Sequence, residues 1–468
     1  MFSLPTLAAA PESSTPISAG VTTHQSILLD DFEKIDGWSA VTSPTARLEI
    51  AQDSGRTGRA LRLDFEFQDG AGFVIARKAF PMPLPDNFAF HFFMRGDTPP
   101  SDTEFKLVDS RENVWWFKQR EHTFSKDWQP VKIKRRQISR AWGPGGALDE
   151  VAVIEFAFAL GKPGKGSIWI DELRFEEREP AQAYTLNPTI SASTATDGQS
   201  PEAVLDPDPA TRWRSGALAE EQWLLLDFLT PREYGGVVLD WDAQDYAVDY
   251  EVQLSDDGAA WETVYQVRNG NGQRDYLYLP DAESRYLRLN LQRSSRGRGY
   301  AIGRVLVQSY EFSSSVSQFF ETVARDAPRG YYPRYFQGEQ SYWTVVGVSG
   351  DDKEALLNQD GMLEVDKGGF TIEPFLFVDG QLRTWADVSA SQELVKGYLP
   401  IPTVHWQDPA YRLAVTAFAA GLPGQSSLYA RYRVENPSAD PRHLTLYLAL
   451  RPFQVNPPWQ SLNMAGGV

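Results

Sequence analysis

The chain has 468 residues, 42% hydrophobic and 13% aromatic, with 14 Trp, 19 Tyr and 26 Phe; this is material for two to four cores and excludes a disordered polymer. Lys and Arg number 45 against 62 Asp and Glu, a net charge of −17, which argues against nucleic acid as a partner because phosphate binding depends on Lys/Arg neutralisation. There is no Cys and there are five His, so disulfides, thiolate nucleophiles and Cys-ligated zinc are excluded together and a His-rich metal site is disfavoured.

Residues 1–24 lie ahead of any strand pattern. Leu7-Ala8-Ala9-Ala10 has the small residues of a signal-peptidase site without a basic or long apolar stretch before it. It reads equally as a signal-peptide remnant or as a disordered leader. No run approaches the ~20 apolar residues of a spanning helix. Residues 25–178 then alternate with period two, as in Ala60-Leu61-Arg62-Leu63-Asp64-Phe65 and Phe88-Ala89-Phe90-His91-Phe92-Phe93, which predicts a β-sandwich. The opening Leu29-Asp30-Asp31-Phe32-Glu33 and the closing Ile168-Trp169-Ile170-Asp171-Glu172-Leu173 resemble the ends of galactose-binding-like jelly-roll carbohydrate-binding modules. That resemblance implies first and last strands side by side. Trp115-Trp116-Phe117-Lys118-Gln119-Arg120 is the densest aromatic–basic run. On a strand it sends Trp115 and Phe117 to one face and Trp116, Lys118 and Arg120 to the other. One face is core; the other suits a saccharide or lies under the loop 141–146.

A linker at 179–183 precedes a second all-β stretch, 184–312. Asp206-Pro207-Asp208-Pro209-Ala210-Thr211-Arg212-Trp213, Gln222-Trp223-Leu224-Leu225-Leu226-Asp227 and Tyr250-Glu251-Val252-Gln253-Leu254-Ser255 follow one another, and then Ser284-Arg285-Tyr286-Leu287-Arg288-Leu289. In this order they resemble the discoidin (coagulation factor 5/8 type C) domain. The resemblance implies sugar binding by loops at one end of a barrel, where Arg214, Trp241, Tyr246, Asn271, Arg274, Arg296 and Tyr300 are the candidates; the basic run Arg293-Ser294-Ser295-Arg296-Gly297-Arg298 reads as a solvated loop or as a reader of an anionic glycan. Trp213, Trp223 and Trp261 are read as core. In the carbohydrate-binding branch a structural calcium sits at the turn holding Asp206, Asp208 and Thr211, three oxygen side chains suited to that cation. Arg304 stands where an acid from the final strand is expected, so the competing reading is a turn held by hydrogen bonds or by an ion pair that does the cation's work.

Residues 313–330 contain Phe319-Phe320-Glu321-Thr322-Val323-Ala324-Arg325, a short helical connector ending before Pro328. From 331 to 468 a third β pattern resembles the start of the super-β-sandwich that precedes the helical toroid of six-hairpin glycosidases. Its carboxylates, among them Glu339, Asp360 and Glu373, stand in no distinctive motif, so no catalytic residue is assigned. Tyr342, Trp343, Trp385, Trp406 and Trp459 would line the toroid-facing surface.

The sequence thus predicts an all-β chain of three successive sandwich or jelly-roll domains, the third truncated. The expected function is carbohydrate binding by the N-terminal region of a periplasmic or secreted glycan-processing enzyme, with polysaccharide or oligosaccharide as partner, a covalently continuous catalytic domain and no membrane span. The competing readings are a glycoside hydrolase or lyase active in its own right and a sandwich-domain adhesion or scaffold protein.

Overall fold

The computed structural model describes residues 26–68, 71–178, 188–216, 221–366 and 369–456. The leader, the linker 179–183 and Trp459 lie outside them. The described chain is almost entirely antiparallel strand, and it divides into two compact units between Thr185 and Leu186.

In the first unit, period-two alternation produces two six-stranded sheets. One runs Ala46–Ser54, Arg59–Phe67, Gly164–Glu177, Phe88–Asp97, Gln129–Lys134, and the first strand, Ser26–Asp30, pairs antiparallel with the last, Gly164–Glu177. The other runs Ser139–Trp142, Val114–His122, Ser101–Val108, Glu150–Leu160, Gly72–Pro83, Ser39–Thr42. Between them lies a core rich in Phe, with Phe88, Phe90, Phe105, Phe156 and Phe175 in edge-on or tilted ring contact. This arrangement matches the quadrupole preference of aromatic pairs. Each strand therefore has one face fixed by the core and one free to carry chemistry.

The second unit opens with a seven-stranded sheet built on two long bent strands, Gln222–Trp241 and Arg274–Ser294. Its core holds Trp213, Tyr234, Tyr250 and Leu289. Two further sheets, six- and four-stranded, follow from Trp343 to Arg451 and share a core that includes Leu376, Trp406 and Val415. This is a sandwich, but nothing in its pattern identifies it as a supersandwich. Between the two parts lies the helix Val316–Asp326, capped by Ser315, whose Oγ accepts from the Gln318 amide at 3.0 Å. Its Phe319 meets Tyr278 and Phe312 at 5.3 and 5.2 Å, while Phe320 packs on Phe453 at 4.9 Å.

Candidate functional site

In the first unit the strand Val114–His122 does what its alternation requires. Trp115 is buried in the core and Phe117 packs against it, so Trp116, Lys118 and Arg120 take the opposite face. Cross-strand pairing adds neighbours that residue order alone does not reveal. Trp116 sits opposite Lys106, Lys106 opposite Glu155, and Glu155 opposite Arg77. In the next row Lys118 faces Glu104.

These charges are held rather than loose. The Lys118 ammonium lies 2.9 Å from Glu104 and 3.1 Å from Asp102, and Lys106 lies 2.8 Å from Glu104. Arg77 reaches Glu155 at 3.3 Å. Burial pulls the Lys118 pKa down, but the hydrogen bonds it donates to Glu104 and Asp102 outweigh that and leave the ammonium's pKa raised. At the sheet edge Trp142 is half-exposed and meets Trp116 edge-on at 5.5 Å, with Lys106 over its ring at 5.4 Å. The face thus presents one accessible indole beside a fixed lattice of donors and acceptors. It fits a ring with apolar C–H patches and a rim of hydroxyls. The signal for the partners Asp102, Glu104 and Lys106 was a charge at every second position of their strand, opposite to Phe105 and Leu107.

In the second unit the predicted loop residues separate into three groups. Arg214 joins Asp245 at 2.5 Å and Gln199 at 3.2 Å. Arg296 grips the same Asp245 through Nε and Nη2 at 2.9 and 2.7 Å, and Tyr246 stands next to it, half-buried. These residues form one polar end of the sheet. Burial raises the Asp245 pKa, but the two guanidiniums outweigh that and hold the carboxyl below its ordinary value. Arg274 belongs elsewhere: it bridges Asp240 at 3.2 Å and helix residue Asp326 at 3.4 Å, and Asn271 is exposed on a hairpin.

Trp241 and Tyr300 require correction as ligand residues. They are 7% and 2% exposed and belong to the core. Trp241 turns its Nε1 inward to donate to Asp275 Oδ2 at 2.8 Å, where the Tyr250 hydroxyl also donates at 2.7 Å. Trp223 and Trp261 err in the other direction. Both are half-buried outside the core, with Arg288 4.0 Å over Trp261. The basic run 293–298 is largely committed too, since Arg293 grips Asp249 at 2.6 and 3.0 Å.

At the proposed calcium turn, Asp206 Oδ1 accepts from the Asp208 amide and Asp208 Oδ1 from the Ala210 amide, both at 2.9 Å. Thr211 Oγ1 donates to the Asp208 carbonyl at 2.9 Å. The turn is held by its own hydrogen bonds, and no ion pair links Arg304 to either Asp among the described residues; Arg304 Nε is sealed without a partner. No group of three or more His, Cys, Asp or Glu among the described residues is placed to hold a metal.

In the third segment Trp385 and Trp406 are core, whereas Tyr342 is 67% exposed and with Trp343 lines a cleft of about 380 Å³. Its carboxylates are engaged structurally. Asp360 takes both arms of Arg334 at 2.7 and 2.6 Å, and Glu339 takes Arg329 at 2.8 and 2.9 Å. Burial pushes the Glu373 pKa up, against the pull of Arg451 at 3.2 Å. No helix among the described residues is long and apolar enough to cross a membrane.

Comparison with known proteins gives relatives for parts of the chain. A polysaccharide lyase 8 family protein, HylA of Enterococcus faecalis (strain ATCC 700802 / V583), is 25% identical over 116 residues, 24% of this chain and 8% of that protein's length. Among solved structures, chitosan-binding module 2 of a chitosanase/glucanase from Paenibacillus sp. IK-5, in complex with chitotriose, is 26% identical. It covers 27% of this chain and 99% of its own, with a TM-score of 0.25. A family 11 carbohydrate-binding module from Clostridium thermocellum, in complex with a mixed-linked tetrasaccharide, is 18% identical over 32% of this chain and 94% of its own, with a TM-score of 0.28. The family model for the F5/8 type C domain matches residues 189–305, and this segment of the chain, from the strand Thr189–Ala192 into the strand Ala301–Gln308, is an F5/8 type C (discoidin) domain.

Proposed function

We propose that this chain is a carbohydrate-binding region of a glycan-processing enzyme working in the periplasm or outside the cell, with turnover carried by a covalently continuous catalytic domain. The observation that carries the reading is the outer sheet face of the first unit. There Trp142 and Trp116 stand beside Lys106, Lys118 and their paired carboxylates. The F5/8 type C domain and the polysaccharide lyase relative support the same reading. Two weak sites on one chain raise the effective concentration of each for a polymer that offers both ligands. A structural calcium ion at Asp206, Asp208 and Thr211 belongs to this proposal, because each exposed Asp still has an uncommitted carboxylate oxygen.

The test is affinity electrophoresis of the full chain in a panel of soluble polysaccharides, with calcium and with a chelator. A retarding polysaccharide is expected, and loss of one indole stack, ~1–1.5 kcal/mol, weakens binding about tenfold in Trp142→Ala. A folded chain that no polysaccharide retards, or a Trp142→Ala variant that binds as the parent does, refutes the reading. A chelator that changes neither binding nor melting temperature removes calcium from it.

A further inference from the structure

The first unit carries a second aromatic–cationic row, on the sheet opposite Trp116. Trp169 pairs across strands with Arg62 on one side and Arg95 on the other, and all three point away from the core that Ile168 and Ile170 enter. The Arg95 guanidinium lies over two indoles, 4.3 Å from Trp169 and 5.1 Å from Trp128. Arg62 also lies over Trp169, at 5.4 Å, but differs in its partners: it has Asp64 at 3.0 Å and Asp53 at 3.3 Å. Arg95 has no ion pair and no hydrogen bond among the described residues, and its Nε is sealed from solvent without an acceptor.

Such a pair of contacts orients the guanidinium without neutralising it. Two cation–π contacts restrict the plane of the fork, which suits end-on bidentate capture of a carboxylate. The next row on the same face, Asp64, Ser167 and Asp97, lines a groove of about 520 Å³ with Thr98 and Lys165. Asp64 is already answered by Arg62, and Asp97 by Lys126 at 3.3 Å. Arg95 and Lys165 are therefore the cations that lack an ion pair there, among the described residues.

We propose that this row is a second glycan site, selective for sugars carrying a carboxylate, with a uronic acid carboxylate on Arg95 and the ring hydroxyls in the groove beside Ser167. The site stands on the opposite sheet from Trp116 and Trp142, so it holds or fails independently of them.

The experiment is isothermal titration of the full chain with trigalacturonate and with its fully methyl-esterified form, which keeps the shape and removes the charge. The acid is expected to saturate the protein and to bind about tenfold tighter than the ester. Arg95→Gln abolishes that difference, Arg95→Lys recovers only part of it because the fork is gone, and Trp116→Ala leaves it unchanged. Melting temperature and near-ultraviolet circular dichroism check that the variants fold. If Arg95→Gln does not fold, the acid–ester difference in the parent and its reduction in Lys165→Gln decide the matter. Equal affinity for acid and ester, wild-type affinity in folded Arg95→Gln, or loss of acid selectivity in Trp116→Ala each overturns the proposal.

Discussion

Asp275 offers a direct test of how the F5/8 type C core is held. Its carboxylate accepts from Trp241 Nε1 at 2.8 Å and from the Tyr250 hydroxyl at 2.7 Å, both on Oδ2, and both donor rings are buried. Burial raises the Asp275 pKa above its ordinary 3.8, and these two hydrogen bonds only partly offset it. The folded state therefore holds this proton more tightly than the unfolded chain does. The contribution is most favourable below pH 3.8, declines as pH rises through the raised folded value, and is flat above it. Asp275→Ala orphans two buried donors at ~1–3 kcal/mol each, so about 2–6 kcal/mol of stability is lost. Asp275→Asn keeps an oxygen acceptor for both donors and removes the buried charge. Its stability at pH 7 is expected to equal or exceed the parent's, with a shallower decline above pH 4. Urea unfolding followed by tryptophan fluorescence, at several pH values, reads both effects. An Asp275→Asn protein that folds but loses more than about 1 kcal/mol at pH 7 would show that the ionised carboxylate is favourable there, and the argument would fall.

In the first unit, Glu176 is drawn down to about 2, because contacts from His91, Lys132 and Arg178 overcome the upward push of burial. Its contribution is present above pH 4.5 and is lost as pH falls through about 2, up to ~3 kcal/mol, and Glu176→Gln should remove that acid limb from an unfolding titration. Gly272 has φ +73°, and a Cβ there would lie 2.6 Å from the Tyr246 ring. Gly272→Ala is therefore expected to cost ~1–3 kcal/mol and to displace Tyr246, seen as a lowered melting temperature and altered near-ultraviolet circular dichroism. Arg334→Met strips Asp360 of its bidentate partner and should destabilise the third segment by ~3–5 kcal/mol in chemical denaturation, since Asp360 is 4% exposed and loses its buried ion pair.

Alternation made the strands legible, together with the face that Trp116, Lys118 and Arg120 share. The order of short landmarks made the discoidin segment legible. What alternation does not carry is register between strands. Lys106, Glu104 and Glu155 come to Trp116 only through pairings across the strands Ser101–Val108 and Glu150–Leu160. Trp241 and Tyr300 were misplaced for a related reason. Each stands where a strand meets a loop, and whether such a ring turns outward depends on an inward acceptor, here Asp275 for Trp241. The helix was placed correctly from Phe319, Phe320 and Val323, but its N-terminus lay earlier, at Val316, because the capping Ser315 follows two other serines that the periodicity does not distinguish.

That helix also bears on how these parts could be borrowed. Phe319 belongs to the oily surface beneath the discoidin strands and Phe320, its neighbour in sequence, to the one beneath the sheets that follow. Asp326 ties the far end back to Tyr276 and Arg274. A gene fusion cut at the textual end of the discoidin segment would tear one hydrophobic joint into two exposed scars. The inheritable cassette is the pair, hinge included, and the helix sets the bearing of the discoidin strands on the sheets that follow.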